Sequence, residues 1–235
     1  MKESTTSQFP WGSACLSPGL QALYPAGVIA AEMREPGEPS SLYPEEAEYV
    51  RRAVPKRVQE FAAGRACARR ALAEVGIDDF VLHMAPDRRP LWPDSVIGSI
   101  THTTGFCAAV AARRSHLMAI GIDSEVVGKA SPDIWSTICG PEETAWHSSL
   151  SAHQQAAAVT LLFSAKEAFY KCQYPLTGEW LDFHDLYVEP LDWGMASASF
   201  VTRATRPREF EKFAAGPIVG RYLFHEGFVT AAVVF

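Results

Sequence analysis

The sequence lacks long hydrophobic runs and a high density of charge. Its longest uninterrupted apolar stretch, Phe106 to Ala112, is far shorter than the ~20 residues that a membrane-spanning helix needs. Charged residues make up 20% of the 235 residues and hydrophobic residues 48%, a mixture that excludes intrinsic disorder, collagen and coiled coils. The composition therefore predicts a globular protein of one large domain or two small ones, with no membrane association.

Cysteine is scarce and scattered. The chain has five cysteines and no C-x-x-C spacing, which argues against a disulfide framework and a zinc site; they are Cys15, Cys67, Cys107, Cys139 and Cys172. The first 19 residues also lack the continuous apolar segment of a secretory signal. We therefore expect a cytoplasmic protein whose cysteines are reduced and mostly buried.

Acidic residues outnumber basic ones, with 27 Asp and Glu against 21 Lys and Arg, for a formal net charge of -6. The exception is the window 51–70, which holds seven basic residues and one acid, Glu60. A cationic patch on an acidic protein indicates one localised anion site, although a solvated helix face would look the same. Nucleic-acid binding is not expected, because the chain has neither a broad basic surface nor a nucleic-acid-binding motif.

Prolines mark the predicted helix starts. Helices are expected to begin at Pro44 and Pro55, the second ending at Gly76, because proline suits a first helical turn and glycine a helix end. Further helices are predicted from Pro141 and over about 153–173, where Pro175 should end the helix. Runs rich in β-branched residues predict strands at 28–31, 96–101, 106–112, 117–122, 186–189, 196–203, 219–225 and 228–235. The three runs between 96 and 122 are expected to form one small antiparallel sheet.

A faint internal repeat suggests two similar halves. The segment from Gly105 to Val110 resembles the segment from Gly227 to Ala232, and each follows a strand and a short turn. Since strands rich in alanine and valine resemble one another by chance, the match alone is weak. It predicts an α+β protein of two related halves that meet near residues 113–118.

A pair of carboxylates follows an apolar strand. Asp123 and Glu125 are two residues apart, so the period of a β-strand places them on the same side of the backbone. Two neighbouring anions repel each other unless a cation or proton lies between them, and oxygen ligands suit Mg²⁺. The alternative is a pair of solvated acids at a strand end.

Two further groups carry chemistry. Glu167 and Lys171 are four apart on a helix and share a face, with Lys166 beside them in an apolar stretch; the alternative is an ordinary surface ion pair. Thr101 and His102 end a predicted strand, where they could contact a phosphate, although a lone histidine more often has a structural role.

The order of these groups resembles the 4′-phosphopantetheinyl transferases. Arg57 and Arg65 come first, then Thr101-His102, then the acidic motif Gly121-Ile122-Asp123-Ser124-Glu125, and then Lys166-Glu167-Ala168 followed by Lys171. The similarity is to the larger, single-chain type that serves siderophore, polyketide and nonribosomal peptide synthases, and it runs from about Val54 to Leu186. Glu167 follows Asp123 by 44 residues, which suits that family.

The resemblance implies an activity and a fold. Such enzymes transfer the phosphopantetheine arm of coenzyme A to a serine of an acyl or peptidyl carrier protein and release 3′,5′-adenosine bisphosphate. Their fold is α+β, a pseudo-dimer of two halves, each a small antiparallel sheet packed with a long helix, with coenzyme A in the cleft between them. For this chain the implied halves are 1–115 and 116–235, and two fused halves imply a monomer.

The resemblance also assigns roles by position. It makes Asp123, Glu125 and Glu167 the Mg²⁺ ligands, gives the 3′-phosphate of coenzyme A to Arg57 and Arg65, gives the ribose phosphates to Thr101 and His102, and gives the pyrophosphate to Lys166 and Lys171. Some relatives carry a lysine at the start of the loop 84–89; this chain lacks it, and Arg88 is the candidate substitute. Glu167 is the candidate general base and Lys171 the group that stabilises the leaving phosphate.

Two rival interpretations stay open. One is another Mg²⁺-dependent phosphoryl transferase or a nuclease, although no phosphate-binding glycine loop is present. The other is a module that binds coenzyme A or carrier proteins without turnover. Apolar residues between Ile134 and Trp146 are the hypothetical docking strip for the carrier protein.

Overall fold

The structure, a computed structural model, describes residues 12–214 and 216–235. Its described residues divide into two compact units, one formed by 12–21 and 27–116 and the other by 22–26 and 117–235. The short segment 22–26 belongs to the second unit through Tyr24, whose hydroxyl donates a 2.8 Å hydrogen bond to the Gly121 carbonyl. The two units are therefore described separately.

The first unit is a four-stranded antiparallel sheet with one long helix. The strand order is β1-β2-β4-β3, and the elements are β1 (Cys15–Leu16), α1 (Pro18–Gln21), β2 (Val28–Met33), α2 (Pro44–Glu48), α3 (Pro55–Glu74), β3 (Val96–Thr103) and β4 (Phe106–Arg113). Small buried residues of α3, among them Ala63 and Cys67, pack against alanines of β4 in one apolar core. As predicted, α3 begins at Pro55 and the chain turns at Gly76, whose φ is +74°.

The second unit is a five-stranded antiparallel sheet with a longer helix. The strand order is β5-β9-β8-β7-β6, and the elements are β5 (Ile120–Val126), α4 (Trp135–Ile138), α5 (Pro141–Ser148), α6 (Ala152–Thr177), β6 (Leu186–Pro190), β7 (Ser197–Ala204), β8 (Ile218–His225) and β9 (Phe228–Val234). Fully buried Phe169 of α6 and Tyr222 of β8 belong to its core.

Helix α6 lies unusually close to strand β5. A Cβ atom on Gly121 would lie only 2.0 Å from the Ala168 carbonyl oxygen, a distance that side-chain atoms do not adopt. The Ser164 hydroxyl of α6 also donates a 2.9 Å hydrogen bond to the Asp123 carbonyl. Glycine at 121 therefore lets the helix approach the strand that carries the acidic motif.

The two units share an order of elements, and the α+β class is confirmed. Each has a strand, a short helix that begins Pro-Glu-Glu, a long helix and a closing hairpin: β2, α2, α3 and β3–β4 in the first unit, and β5, α5, α6 and β8–β9 in the second. Both hairpin turns contain a glycine with positive φ, +77° at Gly105 and +84° at Gly227. The weak repeat in the sequence thus reflects equivalent hairpins.

Some predictions of local structure were wrong. The third apolar run does not join β3 and β4; it forms β5, which pairs with β9 more than 100 residues later. Pro175 lies inside α6, which continues to Thr177, because a proline near a helix end removes only one backbone hydrogen bond. The helix is ended instead by Gly178, which adopts the left-handed conformation with φ +65°.

Two compositional expectations can be compared with the described residues. All five cysteines are free, and all except Cys15 are buried. Within 12–214 and 216–235, no helix is both long enough and apolar enough to cross a lipid bilayer.

Candidate functional site

Strand β5 supplies two carboxylates to the second unit. In the antiparallel pairing of β5 with β9, Asp123 lies opposite Ala231 and Glu125 lies opposite Val229. Between them Ser124 points to the opposite side of the sheet, where its hydroxyl lies 2.8 Å from that of Thr230. Asp123 is buried, with 4% of its surface exposed, and Glu125 is half-buried. The period-2 geometry expected from the sequence therefore holds.

Helix α6 adds a carboxylate and a cation to this pair. Glu167 and Lys171 are one helical turn apart, about 40° around the axis. The Lys171 ammonium donates a 2.6 Å hydrogen bond to Asp123 Oδ1. We call Asp123, Glu125, Glu167 and Lys171 the carboxylate cluster.

The charges of the carboxylate cluster act on one another. Burial raises the pKa of Glu167 above its usual value; Lys171 lowers it, and the carboxylates of Asp123 and Glu125 raise it. For Lys171, burial lowers the pKa, but Asp123, with help from Glu167 and Glu125, brings it above the usual value. Three carboxylates and one ammonium thus form a single electrostatic group with an excess of negative charge.

The donor atoms of the cluster suit a hard divalent cation. Carboxylate oxygens are the ligands that Mg²⁺ prefers, and a cation would relieve the repulsion that raises the pKa of Glu167. Among the described residues, however, no three His, Cys, Asp or Glu side chains are gathered as a metal site. The Lys171 ammonium is the cation that lies against Asp123.

A cavity of about 330 Å³ opens beside Glu167. Its wall is mostly apolar and includes Tyr170, Trp180, Leu181 and Phe183. The Trp180 ring is 74% exposed and meets the Tyr170 ring edge-on at 5.4 Å. The carboxylates of Glu167 and Asp182 are also part of its lining.

The first unit brings together another part of the predicted site. A guanidinium nitrogen of Arg57, on α3, lies 2.6 Å from Nε2 of His102, at the end of β3. In this pair arginine is the donor, so the histidine accepts as a neutral ring. Arg57 also forms a 3.6 Å ion pair with Glu60 and is half exposed.

Arg65, two turns after Arg57, is almost completely buried. Its guanidinium stacks 4.1 Å from the centre of the Phe61 ring, and Nε lies 3.9 Å from Glu46 Oε1. Burial lowers the pKa of Arg65 to about 10, which leaves it charged at neutral pH. Its Nε and Nη2 are buried and donate no hydrogen bond to any described residue. A buried cation with unused donors is the kind of group that an anion can satisfy.

The other two predicted residues of the first unit, Thr101 and Arg88, differ in their burial. Thr101 is buried, with 1% of its surface exposed, and its carbonyl accepts a 3.3 Å hydrogen bond from the Cys107 thiol. Arg88 lies in an exposed turn with φ +70°, and its backbone N–H donates to the Ala85 carbonyl. In the first unit, Arg57 and His102 are therefore in contact, Arg65 and Thr101 are buried, and Arg88 is exposed.

Family comparisons cover both units. A family model described as the 4′-phosphopantetheinyl transferase N-terminal domain matches residues 45–112, and a model of the 4′-phosphopantetheinyl transferase superfamily matches residues 119–227. The chain belongs to the 4′-phosphopantetheinyl transferase family.

Individual relatives agree with this assignment. The 4′-phosphopantetheinyl transferase Svp of Streptomyces mobaraensis is 38% identical over 91% of this chain and 88% of its own length. The 4′-phosphopantetheinyl transferase Npt of Nocardia iowensis is 32% identical over 92% of this chain and 99% of its own. Enterobactin synthase component D of Salmonella typhimurium is 40% identical over 52% of this chain.

Lys166 of the transferase does not join the carboxylate cluster. Its side chain is 2% exposed, and its ammonium lies 2.7 Å from Glu143 Oε2. Burial lowers the pKa of Lys166, and Glu143 raises it. The resemblance gave Lys166 and Lys171 the same role, but the two side chains have different partners.

The sequence analysis missed several residues of the transferase's two units. Glu46 and Glu143 are fully buried carboxylates that organise α2 and α5, and only their place after Pro-Glu in the sequence hinted at helix starts. The cavity beside Glu167 was also missed, because Trp180 and Tyr170 come together only through the packing of the segment after α6.

Proposed function

We propose that this transferase moves the 4′-phosphopantetheine group of coenzyme A to a serine of an acyl or peptidyl carrier protein. The observation that carries the proposal is the carboxylate cluster, in which Lys171 and Asp123 lie 2.6 Å apart and Glu167 lines an apolar cavity. In the reaction the serine oxygen bonds to the phosphorus that bears pantetheine. The bond from that phosphorus to the oxygen of the neighbouring phosphate breaks, and 3′,5′-adenosine bisphosphate leaves.

The side chains of the cluster match the needs of this step. A serine hydroxyl is a weak nucleophile and needs a base, and Glu167 is the carboxylate of the cluster that lines the cavity and can take its proton, directly or through water. Negative charge builds on the leaving phosphate oxygens. Lys171 is the cation of the cluster that can stabilise it.

Mg²⁺ fits the donors of the cluster and is part of the proposal. Asp123, Glu125 and Glu167 would hold it, and when bound it would stabilise the negative charge of the pyrophosphate.

The first unit supplies the candidate group for the 3′-phosphate of coenzyme A. Arg65 contributes unused buried donors, while Arg57 and His102 contribute an accessible polar pair. Thr101, which is buried, and Arg88, which is exposed in a turn, are the further proposed phosphate contacts.

The cavity beside Glu167 is proposed to take the pantetheine arm. Its apolar wall suits the carbon chain of that arm, and a volume of about 330 Å³ lies within the range of small-molecule pockets. Placing the arm there would bring its phosphate end towards the carboxylate cluster, where transfer takes place.

The carrier proteins remain part of the proposal. As the family resemblance implies, they would belong to siderophore, polyketide or nonribosomal peptide synthases, and the strip from Ile134, which is 43% exposed, to Trp146 is their proposed docking place. We also propose a cytoplasmic monomer with functional halves 1–115 and 116–235 that binds neither nucleic acid nor membranes.

The experiment incubates the protein with coenzyme A, Mg²⁺ and a panel of apo carrier proteins. Intact-mass analysis follows the carrier, and chromatography follows adenosine bisphosphate. We expect one phosphopantetheine group per carrier and one equivalent of bisphosphate. If no carrier of the panel gains mass while calorimetry shows that coenzyme A binds, the proposed transfer is wrong and the chain is a binding module.

A further inference from the structure

The buried Glu143 joins four parts of the second unit. It lies at the third position of α5, where Oε2 accepts a 2.8 Å hydrogen bond from the Gly140 N–H before the helix and Oε1 accepts one of 2.8 Å from the Val188 N–H of β6. Lys166 of α6 reaches the same carboxylate at 2.7 Å. Lys166 also donates 2.8 Å hydrogen bonds to the carbonyls of Ile138 and Phe183.

The first unit contains the same arrangement, and each oxygen of its glutamate has the partner equivalent to that in the second unit. Glu46 is at the third position of α2, where Oε2 accepts from the Tyr43 N–H at 3.2 Å and Oε1 from the Leu82 N–H at 3.1 Å. Arg69 of α3 donates to Oε2 at 2.9 Å and to the Ser41 carbonyl at 2.9 Å. The cation follows its glutamate by 23 residues in both units. We call each arrangement a glutamate clamp.

The repetition indicates that Lys166 has a structural role, unlike the roles in transfer proposed for Glu167 and Lys171. Arg69, its counterpart, is buried, with 4% of its surface exposed, and holds structure together. An ammonium has three N–H donors, and those of Lys166 are used by Glu143, Ile138 and Phe183. Although Lys166 borders the cavity, it has no donor left for a phosphate. On a helix it also projects about 140° from Lys171.

We propose that Lys166 is a positioning residue and not a ligand of the coenzyme A pyrophosphate. Through the glutamate clamp it fastens α5 and β6 to α6 at the residue next to Glu167, and so sets the position of that carboxylate at the cavity. The clamp in the first unit does the same for α3, the helix of Arg57 and Arg65. This inference rests on the proposed function for its kinetic consequences, but not for its structural ones.

The test compares Lys166→Met with the double variant Glu143→Gln/Lys166→Met. The single variant leaves the Glu143 charge buried without its cation, which is strongly unfavourable, whereas the double variant removes both charges and leaves only one N–H of Gly140 or Val188 without its acceptor. Turnover is expressed per coenzyme A binding site measured by calorimetry, so that unfolded protein is not counted. Hydrogen exchange of 138–148 and 183–190 reports the clamp without turnover. Lys212→Met, an exposed lysine paired with Glu209, is the matched control.

A positioning role predicts a specific pattern. Lys166→Met lowers kcat per site by about 10- to 100-fold, because small displacements of a catalytic group are costly, while KM for coenzyme A changes less than about 3-fold. Exchange in 138–148 rises. The double variant recovers part of kcat and of the protection, because the buried unpaired charge is gone although one N–H has lost its acceptor, and Lys212→Met resembles the wild type.

The opposite pattern overturns the proposal. If Lys166→Met raises KM for coenzyme A about tenfold or more at unchanged kcat, and the double variant is no better, Lys166 is a phosphate ligand. Wild-type kinetics and exchange in Lys166→Met would also contradict it. If the wild type transfers nothing to any carrier, the proposed function fails, but the exchange data still decide whether the clamp exists.

Discussion

At the scale of single residues, two lysines five positions apart have different environments. Lys171 lies against Asp123 on the side of α6 that bears Glu167, and Lys166 is enclosed with Glu143. Both match lysines of the family motif, so the motif alone gave them one role. The difference follows from the helical period, which turns by about 100° per residue, and from what packs against each face.

Replacement of Lys171 tests its assignment to the substrate. Lys171→Met should lower turnover by about 100-fold or more, because it removes the cation that stabilises charge on the leaving phosphate. Steady-state kinetics with an apo carrier protein would measure this, with Lys212→Met as the control. A Lys171→Met variant with wild-type turnover would remove Lys171 from the mechanism.

Part of the site was predictable from the residues and part was not. The pairing of Asp123 with Glu125 followed from the strand period, and that of Glu167 with Lys171 from the helical turn. The partner of Lys166 was not predictable in the same way, since Glu143 is 23 residues away and lies on another helix. Arg65 likewise fitted a phosphate role by spacing, but its burial against Phe61 appears only in the fold.

At the scale of elements, the contact between α6 and β5 holds the carboxylate cluster together. Asp123 is on the strand and Lys171 on the helix, so their 2.6 Å contact depends on how closely the two elements pack. Gly121 sets that distance, because a side chain there would overlap the Ala168 carbonyl. The residue that allows this position of the helix, Gly121, therefore lies two residues before Asp123.

Gly121→Ala should disrupt this packing. We expect a loss of about 3 kcal/mol in the free energy of unfolding, since overpacking against backbone cannot be relieved by rotating a side chain, together with a large loss of turnover. Gly216→Ala, where an added Cβ meets nothing within 4 Å, should change stability by less than about 0.5 kcal/mol. Denaturant titrations of both variants measure the difference; equal stabilities would show that α6 does not need glycine at 121.

Local signals predicted most elements and failed where long-range pairing decides. Proline marked the starts of α2, α3 and α5, with acidic residues beside it in α2 and α5, and β-branched runs marked the strands. The partner of β5 could not be read from its own residues, because β9 lies at the other end of the unit. Pro175 was read as a helix end, but the helix continues past it to a glycine that can adopt positive φ.

At the scale of the whole molecule, two units repeat one plan with different chemistry. Each has a strand, a Pro-Glu-Glu helix with a buried glutamate, a long helix and a hairpin. The first unit bears the basic group of Arg57 and Arg65, and the second bears the carboxylates and the cavity. The faint sequence repeat of the two hairpins reflects this shared order of elements. The two glutamate clamps are a second feature that both units share.

Removal of divalent metal tests the proposed role of the carboxylates in the intact protein. We expect treatment with a chelator to abolish transfer to the carrier and excess Mg²⁺ to restore it, because the cluster would hold more negative charge than Lys171 alone neutralises. Intact-mass analysis of the carrier before and after Mg²⁺ is added back measures this. Full transfer in the presence of chelator would contradict a metal at Asp123, Glu125 and Glu167.

The most direct test is intact-mass analysis of one apo carrier protein incubated with coenzyme A, Mg²⁺ and either the wild type or Glu167→Gln. We expect a gain of one phosphopantetheine group with the wild type and a rate about 10²- to 10⁴-fold lower with the variant, whose circular dichroism and coenzyme A binding should remain intact. Equal rates of mass gain with both proteins would contradict the assignment of the chemistry to the carboxylate cluster.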